Sequence, residues 1–208
     1  MFARDNTAIR TYARLSPENM THVLWFAVAT ANCPFMQSVN TMRVLKGWGE
    51  GIMSVEYAGV TQGEKSMMGC GLTAAKLAAY QYLWASRDSV YAKYQECLTL
   101  DNGHLIFWEY AMDCLCGMGM VKAAFAVQML FGELGCIDIH NARELGHDKC
   151  PAGKAKKNRP TYLNIQAVKT SEQWWDMWCE MLAKKYPGQF RDGDHVSKLH
   201  AECVTGVA

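Results

Sequence analysis

The segment LCGMG, residues 115 to 119, constrains this chain more than any other, because it sets Gly117 and Gly119 between two apolar runs of helical period. Before it, Phe107, Trp108, Ala111, Met112 and Leu115 recur at three- and four-residue steps, and Val121, Ala124, Phe125 and Leu130 do the same after it. Both flanks read as buried helices joined by a short hairpin within residues 115–121. Lacking a Cβ, Gly117 and Gly119 are free to take positive φ and to let another backbone come close. The first amides of the second helix then have no partner inside it, an arrangement that binds anions. A DNA phosphate is the expected one.

Further on, Asp138 precedes a short helical pattern, Ile139 to Leu145, which Gly146 can end. That position predicts an N-cap carboxylate, kept ionised by the helix dipole. Elsewhere proline is scarce, glycine clusters at boundaries, and no alternating strand pattern of any length occurs, so an all-α chain is expected. Half of the 208 residues are apolar, enough for a substantial core in one domain. No apolar run approaches the roughly 18 residues that span a bilayer, so no membrane partner is expected.

Taken in order and spacing, Leu115 to Gly119 with Lys122-Ala123-Ala124, then Ile137-Asp138-Ile139-His140 and Arg143, resemble the core motif of the helix-hairpin-helix DNA glycosylase superfamily. Endonuclease III and the adenine glycosylases are familiar members. Ser16-Pro17-Glu18 before the apolar helix Val23 to Ala31, and Gly71-Leu72-Thr73-Ala74-Ala75-Lys76, resemble two further family segments, so the likeness covers roughly residues 16–146. It implies an endonuclease III-like fold of two helical subdomains with the active-site cleft between them. Residues 22–136 would form a helical barrel carrying the hairpin, and residues 1–21 with 137–208 the second subdomain. It also implies double-stranded DNA as partner, a flipped nucleotide, Asp138 as the catalytic group, and DNA contacts from Gly117, Gly119, Val121 and Lys122. Asn32, Gln37 and Asn40 fall where the family fills the hole left by a flipped base, and His140 beside Asp138 joins them as a pocket candidate.

Two departures narrow the chemistry. Bifunctional members carry a lysine two residues after the second hairpin glycine, where this chain has Val121; Lys122 comes one position late. One residue turns a helical side chain by about 100°. A Schiff-base lyase is therefore not expected, and Lys122 reads as a lysine near backbone phosphates. Endonuclease III also holds an iron–sulfur cluster on four closely spaced cysteines. Here the nine cysteines include no Cys-x-x-Cys pair, and the three after Asp138 are more than twenty residues apart. Neither cluster nor zinc is readable, the six histidines show no ligand spacing, and no metal or cofactor is expected. The odd cysteine count, with nothing resembling a signal peptide at the start, predicts reduced thiols in a cytoplasm, the host's if the chain is phage-encoded.

A net charge of +1 says little about nucleic acid, so distribution matters more. Residues 149–160 hold five cations and no acid, including Lys154, Lys156, Lys157 and Arg159, and read as a basic loop for DNA or an anionic leaving group. A later helix with Trp174, Trp175, Trp178, Met181 and Leu182 on one face is expected to pack on the segment Arg4 to Leu15.

Three functions remain open on these grounds. One is a monofunctional glycosylase, in which Asp138 stabilises charge on the deoxyribose and helps activate water. Another follows a bacteriophage branch of the superfamily, the thymine pyrophosphorylases or amino acid:DNA transferases, which hypermodify thymidine. A member would displace pyrophosphate from pyrophosphorylated 5-hydroxymethyluracil with a free amino acid or polyamine as co-substrate. The third is a non-catalytic DNA-binding module. Keeping the hairpin and aspartate while lacking the lyase lysine and the cluster, the chain resembles the modification branch; a monomer is expected.

Overall fold

The structure, a computed structural model, describes residues 7–30, 33–132 and Val204, and among these it is helical with no strand. Eight helices follow in order: α1 (Thr7–Arg14), α2 (Pro17–Ala29), α3 (Phe35–Trp48), α4 (Gln62–Met68), α5 (Ala74–Ala85), α6 (Arg87–Cys97), α7 (Gly103–Cys114) and α8 (Met120–Phe131). Short 3₁₀ turns occupy Gly49–Ser54, Tyr57–Gly59 and Gly69–Gly71. Among the described residues this agrees with the expected all-α class. No helix among the described residues is long and apolar enough to cross a membrane.

Helix α2 forms the centre. Ser16 caps it, its hydroxyl accepting from the Asn19 amide at 3.1 Å, and Pro17 occupies the first turn, where its missing N–H costs nothing. From Met20 to Ala29 every residue is buried, as expected of a helix that is apolar nearly all round. Helices α1, α3, α5, α6 and α8 pack against it. Trp25 stacks on Trp84 at 5.2 Å between ring centroids, and its indole N–H donates to the Tyr80 carbonyl at 2.9 Å, so α2 and α5 are held by packing and by a satisfied buried donor.

Helix α1 buries Ile9 and Ala13 in this same core and packs on α2 and α8. Residues 7–14 thus pack on the central bundle. The remaining partner expected for that segment, the helix around Trp174 to Leu182, lies outside the described residues. From the far end of the chain, Val204 is also fully buried in the core, and its carbonyl accepts from Lys46 Nζ.

Beneath α2, the His22 ring is buried between Tyr12, Trp25 and Trp84 and accepts or donates at Nδ1 to the Tyr12 hydroxyl, 2.7 Å away. Burial and the Lys46 charge hold His22 down to about 4, and burial with nearby Glu18 pushes Tyr12 up to about 12.

Candidate nucleic-acid interface

The hairpin is built as its spacing requires. Helix α7 ends at Cys114, Leu115 turns into an extended conformation, and α8 begins at Met120. Leu115 and Met118 are buried and anchor the turn, while the Met118 amide donates to the Leu115 carbonyl at 3.1 Å. Two aromatic donors fasten its ends. Trp108 Nε1 donates to the Met120 carbonyl at 3.2 Å, and the Tyr82 hydroxyl to the Cys114 carbonyl at 2.8 Å.

The two hairpin glycines do different work. Gly117 has φ +79°, and a Cβ on it would stand 2.6 Å from Ala79 Cβ, so both conformation and close packing on α5 exclude other residues. Gly119 departs from the expectation of positive φ: it is an ordinary extended N-cap, φ −85° and ψ 173°, with nothing within 4 Å of where a Cβ would lie. Its role is open space in front of a helix end. No side chain caps α8 there and its first turn holds no acid, so the Met120, Val121 and Lys122 amides lack both an intrahelical partner and a charge complement.

Val121, at the place of the lyase lysine, packs partly buried against the core. Lys122 is half-buried and turns back, its Nζ donating to the Gly117 carbonyl at 2.8 Å. It is thus more enclosed than a simple surface lysine, and its ammonium is tied to the hairpin backbone. Burial, and then the charge of Lys76, lower its pKa, with Cys116 opposing.

Lys76 lies at the corresponding third position of α5, where Thr73 supplies the cap by accepting from the Lys76 amide at 3.1 Å. Its Nζ donates to the Cys70 carbonyl at 2.8 Å and the Ala29 carbonyl at 3.2 Å, and burial lowers its pKa. Sequence reading placed Lys76 only as part of a helix start. That the starts of α5 and α8 converge, bringing two lysines together beside the hairpin, depends on the packing of Gly117 on Ala79 and has no local signal.

Two of the pocket candidates, Gln37 and Asn40, lie on α3. Gln37 Oε1 accepts from the Cys70 amide at 3.3 Å, and Asn40 Oδ1 accepts from Arg43 at 3.3 Å. Asn32, Asp138, His140, Lys154, Lys156, Lys157 and Arg159 lie outside the described residues. Among the described residues no three histidines, cysteines or carboxylates are grouped to hold a metal ion. Another groove, between Met53–Tyr57 and Ala74, Leu77, Ala78 and Gln81, offers no convergent chemistry; the Gln81 amide already donates to the Ile52 and Val55 carbonyls.

No family model, curated protein or solved structure matches the chain.

Proposed function

We propose that the chain is a base-flipping DNA enzyme of helix-hairpin-helix type that modifies a pyrimidine in DNA. The observation that carries this reading is the open start of α8: Gly119 leaves the first amides uncovered, no acid or cap answers them, and Lys122 and Lys76 stand beside them. One turn of amides with two adjacent cations suits a DNA backbone phosphate, which fixes the register of the duplex without reading its sequence. Asp138 then acts on the extruded nucleotide. In the transfer reaction an incoming amine forms a C–N bond at the 5-methylene carbon, the C–O bond to pyrophosphate breaks, and Asp138 accepts the amine proton. Lys154, Lys156, Lys157 and Arg159 receive the leaving pyrophosphate. Double-stranded DNA and a free amino acid or polyamine are the partners.

The test is nucleoside mass spectrometry on duplex DNA carrying uracil, 5-hydroxymethyluracil or its pyrophosphorylated form, incubated with the protein and mixed amino acids and polyamines. A heavier thymidine derivative with released pyrophosphate is the expected product. Free base with an abasic site would establish a glycosylase instead, and unchanged DNA on every substrate would leave a binding module. Asp138→Asn should abolish the product while leaving DNA affinity within about tenfold; full activity in that variant removes Asp138 from the mechanism.

A further inference from the structure

Beside the hairpin, and independent of any DNA chemistry, two thiols meet on one oxygen. Cys33, in the connector between α2 and α3, donates from Sγ to Gln37 Oε1 at 3.5 Å. Cys70, in the 3₁₀ turn before α5, donates to the same atom from Sγ at 3.0 Å and from its amide at 3.3 Å. Both sulfurs thus lie within hydrogen-bonding reach of a single atom.

The turn that carries Cys70 is firmly held. Gly69 has φ +49° and approaches Gln37 so closely that a Cβ would stand 2.5 Å from Oε1, and a Cβ on Gly71 would run into Thr41 Oγ1. The Tyr80 hydroxyl donates to the Gly71 carbonyl at 2.8 Å, and Lys76 Nζ holds the Cys70 carbonyl. Only residues without a side chain on either side of Cys70 permit this approach, and its effect is to bring that sulfur to the same oxygen that Cys33 contacts. The pair differs from the other described cysteines: Cys97 is buried, and Cys114 and Cys116 are exposed with no thiol partner shown.

We propose that Cys33 and Cys70 form a redox modification site, a dithiol that a hydroperoxide converts reversibly to a disulfide. Cys70 is the exposed member and meets the oxidant, while Cys33 is half-buried and resolves. The Cys70 thiolate attacks one oxygen of hydrogen peroxide; the S–O bond forms, the O–O bond breaks, and the departing hydroxide takes up the proton that the Cys70 thiol released, giving a sulfenic acid and one water. The Cys33 sulfur then attacks Cys70 Sγ; the S–S bond forms, the S–O bond breaks, and the departing hydroxide takes the Cys33 proton as a second water. Two electrons pass from the thiols to the peroxide. Burial pushes the Cys33 thiol up, so Cys33 keeps its proton until the S–S bond forms, as a resolving thiol does. The linkage joins the connector after α2 to the start of α5, two segments far apart in sequence. Reduced at rest and linked under peroxide, such a pair fits the reduced thiols expected of a cytoplasmic chain.

Tryptic cleavage separates the pair cleanly, because Leu15–Arg43 carries only Cys33 and Ser66–Lys76 only Cys70. The full chain is treated with limiting hydrogen peroxide, alkylated with iodoacetamide, digested and analysed by mass spectrometry. The expected result is a cross-linked peptide of these two segments, two hydrogens lighter than their sum, formed in a fraction independent of protein concentration and released by dithiothreitol. In Cys33→Ser the cross-link is lost and Cys70 is trapped by dimedone as a sulfenic acid. Recovery of both peptides separately alkylated while other cysteines oxidise overturns the proposal, as does Cys70 linked to another cysteine, or no dimedone adduct in Cys33→Ser.

Discussion

Two Gly-x-Gly turns, Gly69-Cys70-Gly71 and Gly117-Met118-Gly119, each introduce a helix with a lysine at its third position, yet they are built in opposite senses. In the first, both glycines are crowded by side chains of α3, the central cysteine is exposed, and Thr73 caps the helix that follows. In the second, the central Met118 is buried, Gly117 alone is crowded, and the last glycine is open before an uncapped helix. The same three-letter pattern serves close packing in one place and an exposed row of amides in the other. What separates them is whether the helix start is already satisfied, and only the unsatisfied one is proposed as a phosphate site.

The largest effects test the crowded glycines. Gly71→Ala and Gly117→Ala should each cost on the order of 3 kcal/mol in chemical denaturation, the first by collision with Thr41, the second by collision with Ala79 and an unfavourable positive φ. Losses below about 0.5 kcal/mol would mean that neither contact is tight.

The core shared by both turns offers a reference of similar size. His22 is held to about 4 against an ordinary 6.5, so between these values the unfolded chain binds a proton that the folded chain refuses. Stability is therefore full above pH 6.5 and falls by about 3 kcal/mol as the pH drops toward 4. Denaturation of His22→Gln across this range should show a flatter profile; an equally steep one would place the titrating group elsewhere.

Smaller changes separate the two helix starts. Gly119→Asp supplies the carboxylate that α8 lacks, so stability should stay level or rise by about 0.5 kcal/mol while affinity for duplex DNA drops about tenfold. Thr73→Ala removes the cap of α5 and should do the reverse, costing about 1 kcal/mol with little change in DNA affinity. Loss of DNA binding in Thr73→Ala alone would exchange the roles of the two turns. With abasic duplex DNA, borohydride should trap no adduct, since Lys122 is bonded to the Gly117 carbonyl; an adduct lost in Lys122→Ala would overturn that reading.

Local features were the legible ones. Ser16-Pro17 marks the start of α2, the uninterrupted apolar run marks its central place, and Gly117 to Gly119 marks the joint between α7 and α8. All of these are set by residues within a few positions of each other. The partners of Gly69-Cys70-Gly71 lie on α3, some thirty residues earlier, and the nearness of Lys76 to Lys122 exists only once α5 and α8 are packed. Gln37 illustrates the limit: its carbonyl oxygen serves a turn that no local pattern connects to it. The placing of α1 in the central core likewise rests on Ile9 and Ala13 meeting α2 and α8, contacts a short amphipathic segment does not announce.

The most direct test of the central claim is the salt dependence of duplex DNA binding by the full chain, compared with Lys122→Ala. If the start of α8 holds a backbone phosphate with Lys122 beside it, the logarithmic plot of affinity against salt should become shallower by about one phosphate contact in the variant, with affinity lowered uniformly across sequences. An identical slope in the two proteins, or no binding by the wild type at low salt, would contradict it.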